Sequence, residues 1–427
     1  MLIGEGWRAR YSLVMLSFAA VFVCYIDRVN ISVAIIPMAQ EYGWGATTQG
    51  LILSCFYFGY MVTQFLGGAL ADRYGGKVVL GIGVVWWSVF TILTPPAAAF
   101  GLAALIVVRV LMGMGEGVTF PSIYALYGKW IPVKERARAM ALTNSGIPVG
   151  QVAALLVAPW IAITLGWEWV FYLFGLVGFV WYLLWHWVVS KEPSAHAALS
   201  AEEAEEIRSG ISTDPAEGAT AEQPRTPTIE LFKSRAVWAI VVAHFCNNWS
   251  LYVLLSWLPT FVTQGLGFDF KDSGWVSMLP HLVSFVFLNV AGYVADRMVR
   301  SGMAVTKVRK ICQGIGFGGI ASALFIVGEM SNPWVAIAVM CVGNALGAFV
   351  TGGFAVNHMD IAPNHAGKLM GITNTFATIP GIIGVTVSGW ILEATGSWAL
   401  VFQVAGGVTV IGLIFYLLFA SGNKQFD

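Results

Sequence analysis

The sequence predicts an all-α membrane protein, with twelve transmembrane helices in two six-helix repeat bundles. Three observations carry that expectation. Of the 427 residues, 57% are hydrophobic and only 11% are charged, where soluble domains carry about 25% charged residues. Apolar runs of the ~20 residues needed to cross a bilayer core recur twelve times, beginning near Tyr11, Thr48, Val78, Phe100, Arg138, Trp167, Ala236, Ser273, Lys307, Trp334, Gly367 and Trp398. Stretches of the second half also repeat stretches of the first. The runs are long and continuous, without the alternation that marks an outer-membrane barrel.

The first run, "YSLVMLSFAAVFVCYIDRVNISVAIIP", sets Asp27 and Arg28 side by side in apolar sequence. The second brings Tyr57, Tyr60 and Gln64, which with Tyr25 of the first supply polar tips for a substrate hydroxyl or for ordinary helix packing. It leads into "GGALADRYGGKVVL", whose Asp72, Arg73 and Lys77 can anchor topology, and the third run follows at once. The fourth carries Arg109 and Glu116, the latter inside "GMGEG", where small residues let a helix or ligand come close. The fifth holds "SGIPVGQ" and the eleventh holds "TIPGIIG" at the matching place, where Pro and Gly allow helix bending. In the second half the polar candidates are His244 and Asn247 in the seventh run, His281 in the eighth, His358 after the tenth and Asn374 in the eleventh. Lone histidines are more often structural, so only His358, in "NHMDIAP", is weighed as a ligand group beside Asn247 and Asn374.

Formal net charge is zero, but Lys and Arg crowd into alternate loops: Arg73 and Lys77; Lys129 to Arg138; Lys191 to Arg235; Arg297 to Lys310; and Lys368. The opposite loops carry Glu41, Glu168, Asp269, Asp272 and Glu393 against the single base Lys271. The positive-inside rule then places the basic loops and both termini in the cytoplasm. Residues 190–233 shift to charged, Pro-containing sequence and form a linker between an N-terminal bundle, 1–189, and a C-terminal bundle, 234–427. Within the linker, "SAEE" at Ser200 to Glu203 has capping-box form, so a short surface helix is expected there, fading by Gly210, with the remainder flexible. Five cysteines, Cys24, Cys55, Cys246, Cys312 and Cys341, lie in apolar runs without metal-ligand spacing and are expected to be packing residues. The glycosylation-type strings at Asn30 and Asn248 fall within spans, which makes chance their better explanation. No removable signal is expected, because the first apolar run continues as a full span. The short amino terminus points to a bacterial inner membrane.

"RAMALTNS" at Arg138 to Ser145 is echoed by "KLMGITNT" at Lys368 to Thr375, and "GALADR" ending at Arg73 by "GYVADR" ending at Arg297, at offsets of 230 and 224 residues. One duplication with small insertions accounts for both. Parallel repeats of this kind are a transporter design with the binding site at the repeat interface.

The segment "GGALADRYGGKVVL" resembles the loop signature of the major facilitator superfamily. "YIDRVNISVA", "GEGVTFPS", "GKWIPVKERARAMA", "HFCNNWSLYVLLSWLPTF" and "NHMDIAPNHAGKLMGITNTFATIPG" resemble its anion:cation symporter branch, which includes sialin, the vesicular glutamate transporters, sodium-phosphate-type carriers and bacterial sugar-acid permeases. The resemblance covers nearly the whole chain outside the linker and implies the major facilitator fold. It implies anion binding and coupling by Arg28, Arg109 and Glu116, proton coupling also by Asp27, and a cytoplasmic gate at Asp72, Arg73 and Lys77. Glutamate-carrying members have Arg where this chain has Asn247, so a vesicular-glutamate role is not implied.

Asp27, Arg28, Arg109 and Glu116 lie at membrane depth, where each unrelieved charge costs about 2.5–3.5 kcal/mol. Arg109 and Glu116 are seven residues apart, about 10.5 Å along one helix face, too far for an ion pair and with room for a partner between them. Asp27 and Arg28 point about 100° apart, so one faces a cavity while the other braces a neighbouring helix. The alternative reading is an internal charge lattice that holds the first half together and has no role in transport. A transport role accounts for both signs: the Arg fork suits a carboxylate, and burial and a nearby Arg act oppositely on a carboxyl's hold on its proton, letting Glu116 titrate as its surroundings change. The leading expectation is therefore proton-coupled symport of an organic anion, a sugar acid or related carboxylate, by a monomer using alternating access. Alternatives are an uncoupled facilitator or exchanger, a sodium-coupled phosphate carrier, and a membrane ligand sensor. No metalloprotease, hydrolase-elbow or phosphate-loop motif occurs, so no enzyme activity, cofactor, metal or nucleic-acid partner is expected.

Overall fold

The chain's computed structural model describes residues 8–196, 199–211, 228–362 and 366–426. Among the described residues every regular element is helical. Eleven helices among the described residues are long and apolar enough to cross a membrane. A bent pair, Ala46–Gln64 and Leu66–Tyr74, joined at 49°, makes up to twelve. They coincide with the twelve apolar runs read from the sequence.

In the first half α1 (Ala9–Tyr42), α2 (Ala46–Tyr74) and α3 (Gly76–Phe100) are single spans. The fourth span is α4 (Leu102–Glu116) followed by α5 (Thr119–Trp130), the fifth is α6 (Val133–Asn144) with α7 (Gly146–Thr164), and the sixth is α8 (Trp167–Val188). The linker holds α9 (Ala201–Ile211) and the short α10 (Thr228–Leu231). The second half comprises α11 (Arg235–Thr260), α12 (Phe270–Arg300), α13 (Val305–Val327), α14 (Pro333–Gly347) with α15 (Phe354–Ile361), α16 (Ala366–Thr395) and α17 (Trp398–Phe419). Local chemistry sets the ends. Gly75 and Gly101 bracket α3 at φ 90° and 122°, values that a side chain disfavours. Asn332 caps α14 by accepting from the Trp334 and Val335 amides, with Pro333 in the first turn. The chain breaks at Ser145 beside the fifth span's Pro-Gly stretch, yet runs unbroken through Pro380 in α16.

Contacts divide the chain into two compact units. One comprises Met1–Asn30, Phe58–Ala154 and Glu168–Pro224; the other comprises Ile31–Tyr57, Leu155–Trp167 and Arg225–Asp427. In the second unit the acidic-loop ends of the first, second and fifth spans thus pack with the C-terminal helices. Gly50 and Gly389 allow α2 and α16 to cross closely: a Cβ on Gly389 would stand 2.4 Å from the Ala46 carbonyl oxygen. The Thr47 amide donates to Glu393 Oε2 at 2.6 Å and the Trp167 indole to Glu41 Oε2 at 2.7 Å. Gly274 of α12 touches the α7 backbone, where a Cβ would lie 1.8 Å from the Leu155 carbonyl oxygen.

In the first unit a tryptophan-rich core includes Trp87, Trp130, Trp181 and Trp185, and Ile207 of the linker helix joins it. The expected capping residue is in place, with Ser200 Oγ accepting from the Glu203 amide at 3.1 Å. The Glu203 carboxylate does not close the capping box, however. It accepts from the Ala9 and Arg10 amides at 3.0 and 3.1 Å, capping α1 from a distant part of the chain. Arg10 then pairs with Glu135 of α6 and Glu206 of α9 at 3.0 and 2.9 Å. Hydrogen bonds from Arg10 and Arg8 hold the Glu206 carboxyl below the usual glutamate range, so the cluster keeps its charge into mildly acid solution and loosens as pH falls through that lowered value. Residues 212–227, expected to be flexible, lie outside the described residues.

Glu203→Ala removes both acceptors from the start of α1 and should cost about 1–2 kcal/mol, as loss of a strong cap does. Glu205→Ala is the control, since among the described residues the Glu205 carboxylate pairs with Arg208 on the surface of the same helix. Thermal unfolding of purified protein should show a lowered midpoint for the first variant only.

Candidate functional site

The four charges read at membrane depth come together inside the first unit, from α1 and α4. Arg28 directs Nη2 and Nε to the same Glu116 oxygen, Oε2, at 2.8 and 3.1 Å. The Cys24 thiol donates to that oxygen as well, at 3.1 Å. Glu116 Oε1 has no hydrogen-bond partner among the described residues. Glu116 is thus paired with Arg28, arriving from α1.

Arg28 is sandwiched by aromatic rings, its guanidinium carbon 4.6 Å from the Tyr25 centroid and 4.7 Å from that of Tyr60, distances at which the ring quadrupole attracts a cation. Asp27 turns away, as consecutive helical residues must. It is fully buried, with neither oxygen at hydrogen-bond geometry to a described group, and Glu116, the Trp87 indole and Arg109 are the polar groups that act on it. Arg109 is 1% exposed and Glu116 0%, so none of the acids and bases faces lipid. Arg28, at 6%, is the group of the four with the most open surface.

Glycines set this geometry. A Cβ on Gly59 would stand 1.9 Å from the Val110 carbonyl oxygen, and one on Gly117 would stand 2.6 Å from that of Tyr60. Only bare backbone lets α2 approach α4 closely enough to lay Tyr60 over Arg28. The helical chain also pauses at Gly117 and Val118, directly after Glu116.

The remaining candidates lie elsewhere. Asn247 of α11 lines a cavity in the second unit and donates to Asn248 Oδ1 at 3.3 Å. Asn374 of α16 is half-buried. His358 has both ring nitrogens occupied, Nε2 by Thr373 Oγ1 at 2.9 Å and Nδ1 near the Ala355 carbonyl at 3.2 Å, while His244 meets the same threonine at 3.2 Å. Both His358 nitrogens are thus engaged within the second unit in this structure. Asp72 and Arg73 are exposed and form no ion pair among the described residues, whereas Lys77 donates to the His186 carbonyl at 3.2 Å.

Sequence reasoning missed three features. Cys24 is buried as expected, yet its thiol also engages Glu116; its position four residues before Arg28 was the available signal. Trp87 lay in an apolar run with nothing to mark it as a neighbour of Asp27. Asp360 of "NHMDIAP" grips Arg309 through two bonds, 2.7 and 3.1 Å, and accepts from Asn357. That conspicuous motif is thus a structural lock, and the loop base Arg309 is half of it.

Twelve apolar spans, an internal duplication and a buried acid–base cluster define the class, a membrane carrier of the major facilitator fold. Residues 17–385 match the profile of the Major Facilitator Superfamily, and the chain belongs to that superfamily, in its anion:cation symporter branch. It is 44% identical over 418 residues to the chloroplastic ascorbate transporter of Arabidopsis thaliana, covering 98% of this chain and 76% of that one. It is 38% identical over 451 residues to human sialin, covering 98% and 90%. The chloroplastic sodium-dependent phosphate transport protein 1 of Arabidopsis thaliana is 41% identical over 425 residues, with 99% and 81% covered. Among solved structures, the D-xylose-proton symporter matches with a TM-score of 0.73 at 16% identity, covering 97% of this chain and 99% of the other, which speaks for the fold alone. The protein is a multi-pass membrane transporter of anions and not an enzyme.

Proposed function

We propose that the protein moves an organic anion, a sugar acid or related carboxylate, together with protons by alternating access. The observation that carries this is the Arg28–Glu116 pair, in which one carboxylate oxygen holds the guanidinium and the other has no partner among the described residues. A proton arriving at Glu116 Oε1 would neutralise the carboxylate and release the Arg28 fork to a substrate carboxylate, with the Tyr25 and Tyr60 hydroxyls beside it. Loss of the proton would restore the internal pair and expel the anion. Proton and anion then bind together or not at all, which is the thermodynamic requirement for symport. Asp27 and Arg109 lie close enough for their charges to act on each other and on Glu116. Ascorbate in one relative's name favours a carbon-based acid; sodium-dependent phosphate transport in another's keeps the sodium-coupled alternative as the one to test.

The basic loops and both termini are assigned to the cytoplasm by their charge. Asp72, Arg73 and Lys77 are assigned to the gate on that side, and the contacts that Glu393 and Gly389 make with the start of α2 to the closure on the opposite side.

A thermal-shift screen of sugar acids, sialic acids, aromatic acids, dicarboxylates, amino acids and phosphate supplies the substrate. In reconstituted vesicles, Glu116→Gln should retain substrate counterflow and lose accumulation driven by a proton gradient. Separate pH and sodium gradients identify the driving ion. Undiminished proton-driven accumulation by the variant would overturn the coupling assignment.

A further inference from the structure

We propose that Cys24 is a positioning residue for proton coupling: its thiol steadies the ionised Glu116 carboxylate in the Arg28-paired form and sets the pH at which that pair opens, a role that rests on the coupling reading above. Three donors converge on one oxygen of Glu116, Oε2: Arg28 Nη2 at 2.8 Å, Arg28 Nε at 3.1 Å and Cys24 Sγ at 3.1 Å. The same sulfur accepts from Arg28 Nη2 at 3.6 Å. The thiol, 1% exposed, thus touches both the acid and the base.

A buried helical thiol can satisfy itself without leaving its own helix. Cys55 does so, donating to the Ile52 carbonyl at 3.2 Å. Cys24 instead reaches from α1 to α4. Its place one turn before Arg28 puts the two side chains on one helix face, so both meet the same carboxylate. A thiol is a weak donor; it biases the charge on Glu116 without substituting for the guanidinium.

The thiol acts differently on the two states of the pair. With Glu116 ionised it bonds a charged oxygen, and hydrogen bonds to ionised acceptors are about twice as strong as neutral ones. With a proton on Oε1, Oε2 becomes an uncharged acceptor and the same bond weakens. As Arg28 turns to the substrate, its contact with the sulfur is lost too. Cys24 therefore favours the closed, unprotonated pair, and a lower pH is needed to open it. Other groups act on the same pair. Arg109 of α4 and Asp27 of α1 interact with Glu116 through their charges, Tyr25 of α1 and Tyr60 of α2 lie over Arg28, and α3 presents the uncharged Trp87 indole to Asp27. Substitutions at position 24 leave all of these side chains present, so the thiol can be tested alone.

The test needs no substrate. In infrared difference spectra of the purified protein titrated with acid, the carboxylic C=O band of Glu116 is identified by its loss in Glu116→Gln. Its titration midpoint should move up by about 0.5 pH unit or more in Cys24→Ala, the shift expected for losing one weak donor to the charged form. Should the alanine variant fold poorly, Cys24→Val fills the space without a donor and should show the same displacement. Cys24→Ser keeps a donor and should titrate at or below the wild-type midpoint. The wild-type S–H stretching band should also shift as Glu116 takes up its proton. A midpoint unmoved by Ala and Val, or moved as far by Ser, overturns the inference and leaves Cys24 a packing residue, whose loss would lower thermal midpoints without displacing the titration. A Glu116 band that never appears overturns the coupling reading as well, whereas a titrating band indifferent to position 24 overturns this inference alone.

Discussion

Arg28→Ala should abolish uptake and counterflow alike and destabilise the protein by about 3–5 kcal/mol, the usual cost of stripping one partner from a buried ion pair. The stability loss arises because Glu116, 0% exposed, would lose both guanidinium bonds and keep only the Cys24 thiol. The transport loss has a different origin, the absence of the fork that receives the substrate carboxylate. Adding Glu116→Gln to Arg28→Ala separates the two. A neutral carboxamide needs no counter-ion, so the double variant should recover most of the thermal midpoint while remaining inactive. If the double variant regained substantial uptake, Arg28 would be a structural counter-charge and nothing more. Arg28→Lys is an intermediate case: the charge remains, but the planar donors that hold Glu116 and stack between Tyr25 and Tyr60 do not. It should fold and bind substrate weakly.

The sequence made the spans legible because a bilayer imposes a strict requirement on length and apolarity, which composition alone reveals. It made the ion cluster legible for a related reason, since charge in such surroundings is expensive enough to demand a partner. Asp27, Arg28, Arg109 and Glu116 could thus be singled out, and helical geometry correctly separated Asp27 from Arg28. Which acid met which base was not legible, because seven-residue spacing within α4 says nothing about the rotation of α1 against it. The Arg28–Glu116 pairing depends on how α1 lies against α4, while Gly59 and Gly117 fix the separate crossing of α2 and α4 that brings Tyr60 to Arg28. His358 shows the converse. A histidine in a conspicuous motif invites a ligand role, while its neighbours Thr373 and Ala355, from another helix and from one turn away, occupy both nitrogens. The linker shows how a local motif can be recruited. Ser200 starts a helix as its pattern implies, but Glu203, three residues on, serves the first span instead of its own.

Gly59→Ala should be the most damaging single-methyl change in the first unit, although it touches no charge. The added carbon would stand 1.9 Å from the Val110 carbonyl oxygen, 2.8 Å from its carbon and 3.0 Å from the Met114 amide nitrogen. All three are backbone atoms, so no side chain can swing aside and α2 must retreat from α4. Overpacking of this kind typically costs about 1–3 kcal/mol. The retreat also carries Tyr60, the next residue, away from Arg28, whose guanidinium lies 4.7 Å from the Tyr60 ring. Uptake should therefore fall about tenfold or more, with the loss concentrated in substrate affinity as one wall of the Arg28 sandwich opens. Gly68→Ala, in the same helix but with nothing within 4 Å of the new carbon, should leave transport intact and stabilise α2 by up to about 1 kcal/mol through helix propensity. Parallel thermal midpoints and uptake kinetics decide the matter. Indistinguishable behaviour of the two variants would mean that the close crossing of α2 and α4 does not position the substrate-facing side of Arg28, and that Tyr60 reaches its place by some other constraint.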